Sequence, residues 1–213
     1  MSLTAKENSG GGDFKILEAG THAAVCTQII DIGPQQFEFK GEVKEQDKVK
    51  VRFEVPEERV TWKDKEGVEH EGPMTIWMSY TVSLNEKATL RKHLETWRGV
   101  AFTEVELMGF HLKNILGKPC LLSVVHKEVG PKTYANIAGI SKLPKGMTAP
   151  QPEGDLVCFD FDLHTPEEFD ALPEWLQKLV TAGKELLAEQ RSRGSDATPE
   201  PASEGFEDDD IPF

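Results

Sequence analysis

The chain has no run of eighteen or more apolar residues, so no membrane-crossing helix is expected. It has only three cysteines, Cys26, Cys120 and Cys158, far apart and without a CxxC pair. An odd set of scattered thiols argues for a reducing compartment and against a zinc site. The opening stretch, MSLTAKENSGGGD, lacks an apolar core and a cleavage-site pattern, so no secretion signal is expected. The phosphate-cradling GxxxxGK[ST], the dinucleotide GxGxxG after a strand, the metalloprotease HExxH and the hydrolase GxSxG are all missing. The histidines, at 22, 70, 93, 111, 126 and 164, show no metal-ligand spacing. The nearest approach to paired metal carboxylates is FDFD, Phe159 to Asp162, and there an acidic surface strand is the simpler reading. With no nucleophile beside a base, the expectation is a protein that is not an enzyme and holds no cofactor or metal.

The formal net charge of −13 argues at first against nucleic acid, but its location reverses that reading. Residues 1–150 hold 20 basic and 20 acidic side chains, whereas residues 151–213 hold 4 and 17. From Leu107 to Pro150 six lysines (113, 118, 127, 132, 142 and 145) face a single acid, Glu128. A neutral body with a basic region is thus joined to an acidic tail, an asymmetry that whole-chain charge conceals.

Along the chain, residues 1–13 are polar and Gly-rich and expected to be flexible. THAAVCTQIIDI, Thr21 to Ile32, reads as a first strand stopped by Gly33-Pro34, followed by a polar loop, Gln35 to Gln46. DKVKVRFEV alternates with period two: Val49, Val51, Phe53 and Val55 point one way, Lys48, Lys50, Arg52 and Glu54 the other. Pro56 is expected to end this strand, before a charged hairpin carrying Trp62. In PMTIWMSYTVS, Ile76, Met78, Tyr80 and Val82 share a core face, leaving Trp77 as the one large residue on a hydrophilic face. Leu90, Leu94 and Trp97 recur at helical spacing and Gly99 closes that helix. A second helix is expected from Phe110 to Leu116, then strands over 118–127 and 132–141 around a turn at Glu128 to Pro131.

That order, three strands, a helix and two strands, predicts a mainly β protein: a five-stranded OB-fold barrel with a helix between strands 3 and 4, over residues 14–150. Residues 151–190 read as an acidic and helical appendage. Thr165-Pro166-Glu167-Glu168 is a helix start, and Trp175, Leu176, Leu179, Val180, Leu186 and Leu187 form a stripe expected to pack on the barrel. Residues 191–204, rich in Pro, Ser and Ala, read as a disordered linker, and residues 205–213 as an acidic tip.

An outward cationic stripe beside an aromatic ring is what single-stranded nucleic acid requires: cations neutralise phosphates and rings stack on unpaired bases. The elements that form an OB-fold binding face carry Lys48, Lys50, Arg52 and Trp77, with Phe37 and Phe39 in the first loop. Lys127 and Lys132 flank the last loop, Tyr134 follows it, and Trp62 is a further candidate. The rival reading is that the stripe is merely solvated and that Trp77 is covered by the C-terminal helix. Nothing here reads base edges, so little sequence preference is expected.

The ending GFEDDDIPF is similar to the acidic tip of bacterial single-stranded DNA-binding proteins, which closes on the same DDDIPF. LRKHLETWRG, LKNILGKPCLLSVVHK and KTYANIAGISKLPKG resemble a family of OB-fold single-stranded DNA-binding proteins of tailed phages, over roughly residues 20–180. These resemblances imply a protein of the bacterial host cytoplasm that coats DNA strands in replication, recombination and repair. They imply recruitment of replication and repair proteins through Asp208, Asp209, Asp210, Ile211, Pro212 and Phe213. The tetramer of the bacterial proteins does not carry over to a different body, and homo-oligomerisation is left open. The alternatives are a decoy that presents a host-like tip without binding DNA, or a binder of both single- and double-stranded DNA.

Overall fold

The alternation from Lys48 to Val55 dictates a strand buried on one face only. The structure, a computed structural model, describes residues 15–64 and 66–195. In it this stretch is the middle of β2 (Glu42–Lys63), with Val49, Val51, Phe53 and Val55 all buried. β2 pairs antiparallel with β1 (Gly20–Phe39) on one side and β3 (Glu69–Thr81) on the other. β4 (Pro119–Val129) pairs with the first part of β1, and β5 (Lys132–Ser141) pairs with β4. The sheet order is therefore β3-β2-β1-β4-β5. The sheet curls until β3 approaches β5, but no hydrogen-bonded ladder joins those two. The protein is mainly β, an open half-barrel of five antiparallel strands with few helices, consistent with an OB-like barrel.

α1 (Thr89–Arg98) follows β3 and plugs the curl. Its Leu90, Leu94 and Trp97 are buried, the Trp97 ring 5.6 Å from Phe53, and the indole Nε1 donates to the Pro119 carbonyl at 2.8 Å. The same helix spans the gap between the edge strands. Tyr80 Oη of β3 shares a 2.9 Å hydrogen bond with His93 Nδ1, and Thr96 Oγ1 donates to the Ile140 carbonyl of β5 at 2.6 Å.

The strands are longer than their apolar runs. β1 passes through Gly33-Pro34 by an irregularity between Asp31 and Gly33, so the expected loop from Gln35 to Gln46 is instead a hairpin arm. Lys40 and Gly41 make its two-residue turn, with φ of 56° and 80°, the left-handed geometry that matches strand twist. β2 likewise continues past Pro56, with a register shift between Val55 and Arg59, into a second arm paired to β3. A bulge lets proline sit where no ladder donor is needed. The helix expected at Phe110 to Leu116 is a single 3-10 turn, Leu112–Ile115, and a short α2 (Glu104–Met108) precedes it. Val82, expected in the core, is exposed.

A second core lies on the opposite face of β1. There Ile30 and Ile32 meet Phe159, Phe161, Leu172, Leu176 and Val180. These come from β6 (Val157–Phe159), which adds parallel to β1, the segments on either side of α3 (Pro166–Asp170), and α4 (Glu174–Ser195). FDFD is thus half core: Phe159 and Phe161 are buried while Asp160 and Asp162 face out. Two glycines allow the close approach. A Cβ on Gly183 would stand 2.7 Å from the Ile32 carbonyl oxygen, and one on Gly33 would stand 2.5 Å from the Phe161 ring. α4 continues to Ser195, so the first residues expected as linker are helical.

Candidate nucleic-acid interface

Register places the outward residues of β2 in a single row. Lys48, Lys50 and Arg52 alternate with the buried set, and Lys44 and Gln46 continue the same face along the exposed arm; cross-strand neighbours extend the row sideways, with Phe37 opposite Lys44, and Thr81, Ser79 and Trp77 opposite Lys48, Lys50 and Arg52. Phe39 lies on the same face two residues beyond Phe37, at the tip of the arm, and is 51% exposed. Its ring has Lys40 Nζ at 5.4 Å and Lys44 Nζ at 5.3 Å, while Lys48 Nζ stands 5.3 Å from the Phe37 ring. Sequence reasoning missed Lys40 and Lys44 because the segment was read as a loop. Counting by two back from Lys48 would have found Lys44.

Lys48 donates to Gln46 Oε1 and Thr81 Oγ1, each at 2.8 Å, which holds its ammonium on the face. Partial burial holds the Lys48 ammonium below the usual lysine range. Lys50 is lowered too, first by burial and then by Lys48. A phosphate placed between them would favour both charged forms.

Deeper along the row the residues are engaged. Arg52 Nε donates to Thr27 Oγ1 at 3.1 Å, and its Nη2 stands 3.7 Å from Glu54 Oε2. Glu54 is 1% exposed and accepts from the backbone N–H groups of Glu153 and Gly154 at 2.6 and 3.2 Å. Burial lowers the Arg52 guanidinium despite Glu54 and Asp155. Arg52 thus fastens the chain entering β6 rather than standing free for a ligand. Trp77 is half-buried, its ring edge-on to Trp175 of α4 at 5.2 Å, and Lys50 Nζ lies 5.9 Å from the Trp175 ring. The helix covers part of the Trp77 ring and presents Trp175, 42% exposed, in its place.

The remaining candidates lie apart. Trp62, 49% exposed, stacks on His70 at 5.8 Å on the β2–β3 arm. Lys127 pairs with Tyr134 across the β4–β5 arm, with Lys132 opposite Val129, all exposed. By register these two arms leave the end of the sheet where β1 starts, and the Phe39 arm leaves the other. The six tip residues lie outside the described ones.

No family model and no curated protein matches this chain. The chemistry of the face follows from its own geometry. Its ammonium groups, of which Lys44 also pairs with Glu42 at 3.3 Å, suit phosphates, and the exposed Phe39 and Trp175 rings suit flat bases. Among the described residues no group of three or more potential ligands is arranged to hold a metal ion, and no helix is long and apolar enough to cross a membrane.

Proposed function

We propose that this is a phage-type single-stranded DNA-binding protein, built on an OB-fold barrel with an added helical appendage, that coats unwound strands without catalysis. Its acidic tip recruits replication and repair proteins. The observation that supports this best is the row on β2 and its hairpin arm, where three lysines, Lys40, Lys44 and Lys48, stand 5.3 to 5.4 Å from two outward phenylalanine rings. Rings at the end of β1 and cations of the turn and β2 thus lie side by side, as base and sugar-phosphate do in a single-stranded ligand.

A fluorescence titration with labelled oligo-dT tests it. Phe39→Ala removes a ring at a hairpin tip that supports no core, so folding should be unchanged while affinity falls by about 1–3 kcal/mol, the worth of one stacked base. Unchanged affinity in both Phe39→Ala and a Lys44→Ala/Lys48→Ala double variant would remove the row from the site. Matched duplex as competitor separates a single-strand binder from one that takes both forms. The partial covering of Trp77 by α4 favours a second reading, a body that presents the tip without binding DNA. Absence of any shift with oligo-dT would decide for it.

A further inference from the structure

Lys118 and Lys142 belong to the basic region yet take no part in the β2 row. Both stand at a cleft of about 410 Å³ between α1, the 3-10 turn and the start of β4. Trp97, Phe110, Ile115 and Leu143 give the cleft an apolar floor. Its charged members are Arg98, Lys118 and Lys142, and no carboxylate lines it. Neither lysine has an ion-pair partner among the described residues. Arg98 is fixed in place: one arm binds Glu106, and the guanidinium lies 4.6 Å from the Phe102 ring and 5.3 Å from the Phe110 ring. Its other terminal nitrogen, Nη1, is buried without a hydrogen-bond partner among the described residues. A buried donor left unpaired is costly, and Arg98 is one of the residues that line the cleft.

The cleft therefore asks for an apolar group followed or preceded by carboxylates, and the same chain carries one. Asp208, Asp209 and Asp210 run directly into Ile211, Pro212 and Phe213. With Asp208 to Phe213 seated, residues 196–207 can span at most about 40 Å when extended, a length comparable to a body about 40 Å across. We infer that the acidic tip docks in this cleft of its own chain. Ile211 and Phe213 cover the floor, and Asp208 to Asp210 meet Arg98, Lys118 and Lys142. Because the walls contribute nothing to the β2 row, the docked tip and a bound strand occupy different places, and a partner protein has to draw the tip out of this cleft.

The test uses full-length protein and a fluorescent peptide of residues 205–213, followed by anisotropy. In the wild type the tethered tip competes at high effective concentration, so Phe213→Ala protein should bind the peptide about tenfold more tightly. Adding Lys118→Glu and Lys142→Glu to the Phe213→Ala protein should abolish peptide binding. Both lysines are exposed, and an unchanged melting temperature and circular dichroism would show that the fold survives. Saturating oligo-dT should leave the peptide bound. Equal peptide affinity for wild type and Phe213→Ala, or binding that survives both charge reversals, overturns the proposal. So does displacement by oligo-dT, which would put the tip on the β2 row. A wild-type deficit that vanishes on dilution assigns the tip to another copy and overturns docking within one chain. Loss of oligo-dT binding in the wild type would sink the DNA reading and leave this result untouched.

Discussion

His93 projects from α1 to the edge of β3, bonded to Tyr80 and pushed below its ordinary range by burial. As pH falls, the unfolded chain therefore takes up the proton first, and acid favours unfolding. The contribution is complete above the ordinary histidine range near 6.5 and is lost as pH drops through it toward the lower folded value. His93→Gln keeps a polar partner for Tyr80 but cannot titrate. Urea midpoints at pH 7 and pH 5 should differ less in this variant than in the wild type, and an equal difference would clear His93 of that role. Single residues were legible where a period fixed them: Val49, Val51 and Phe53 on one face of β2, Leu90, Leu94 and Trp97 on one face of α1. Trp77 was legible as to face, and its cover by the C-terminal helix stood as the rival reading, but the residue that meets it was not legible. Its partner Trp175 arrives from a distant helix, and no local pattern encodes that contact.

Among elements, the docking of α4 on β1 sets two effects against each other. Gly183 lies within α4, where alanine would gain about 1 kcal/mol in helix propensity. The added methyl would meet backbone, the Ile32 carbonyl at 2.7 Å, which cannot move aside like a side-chain end. Overpacking costs about 1–3 kcal/mol, so Gly183→Ala should destabilise on balance by about 1 kcal/mol in urea denaturation. Hydrogen exchange in α4 should rise with it. A stabilised variant would mean the helix is not held this closely. The same contact explains why β1 was misread. Gly33-Pro34 looks like a stop by composition, yet the strand continues because Gly33 leaves room for Phe161 and the irregularity falls just before the pair, between Asp31 and Gly33. The arms were hidden for a related reason. They bury little, so they lack the apolar alternation by which strands are recognised, and the row that includes Lys44 went unseen with them.

For the whole molecule, charge separation governs behaviour in salt. A strand on Lys40, Lys44, Lys48 and Lys50 displaces counterions at about 0.7 per phosphate, so log affinity against log salt should slope at about −3. The Lys44→Ala/Lys48→Ala variant should flatten that slope by about 1 to 1.5. A slope near zero would mean that binding, if seen, is not made by this row. Deleting residues 205–213 removes like charge from the strand's surroundings, so oligo-dT affinity should hold or tighten. Weaker binding would show that the tip supports the interface. The division into a neutral body and an acidic end was legible from composition, but the cleft beneath α1 was not, since it is assembled from three segments that share no pattern.

The missing ladder between β3 and β5 has a mechanical consequence. Their edges are joined across α1, by Tyr80 with His93 on one side and Thr96 with Ile140 on the other. A barrel sewn by backbone resists widening along its full length, whereas this one is latched at a few side chains. Strain pulling β3 away from β5 would find the molecule's soft direction, and loosening the His93 end by acid would let these two edges part without unzipping a single strand.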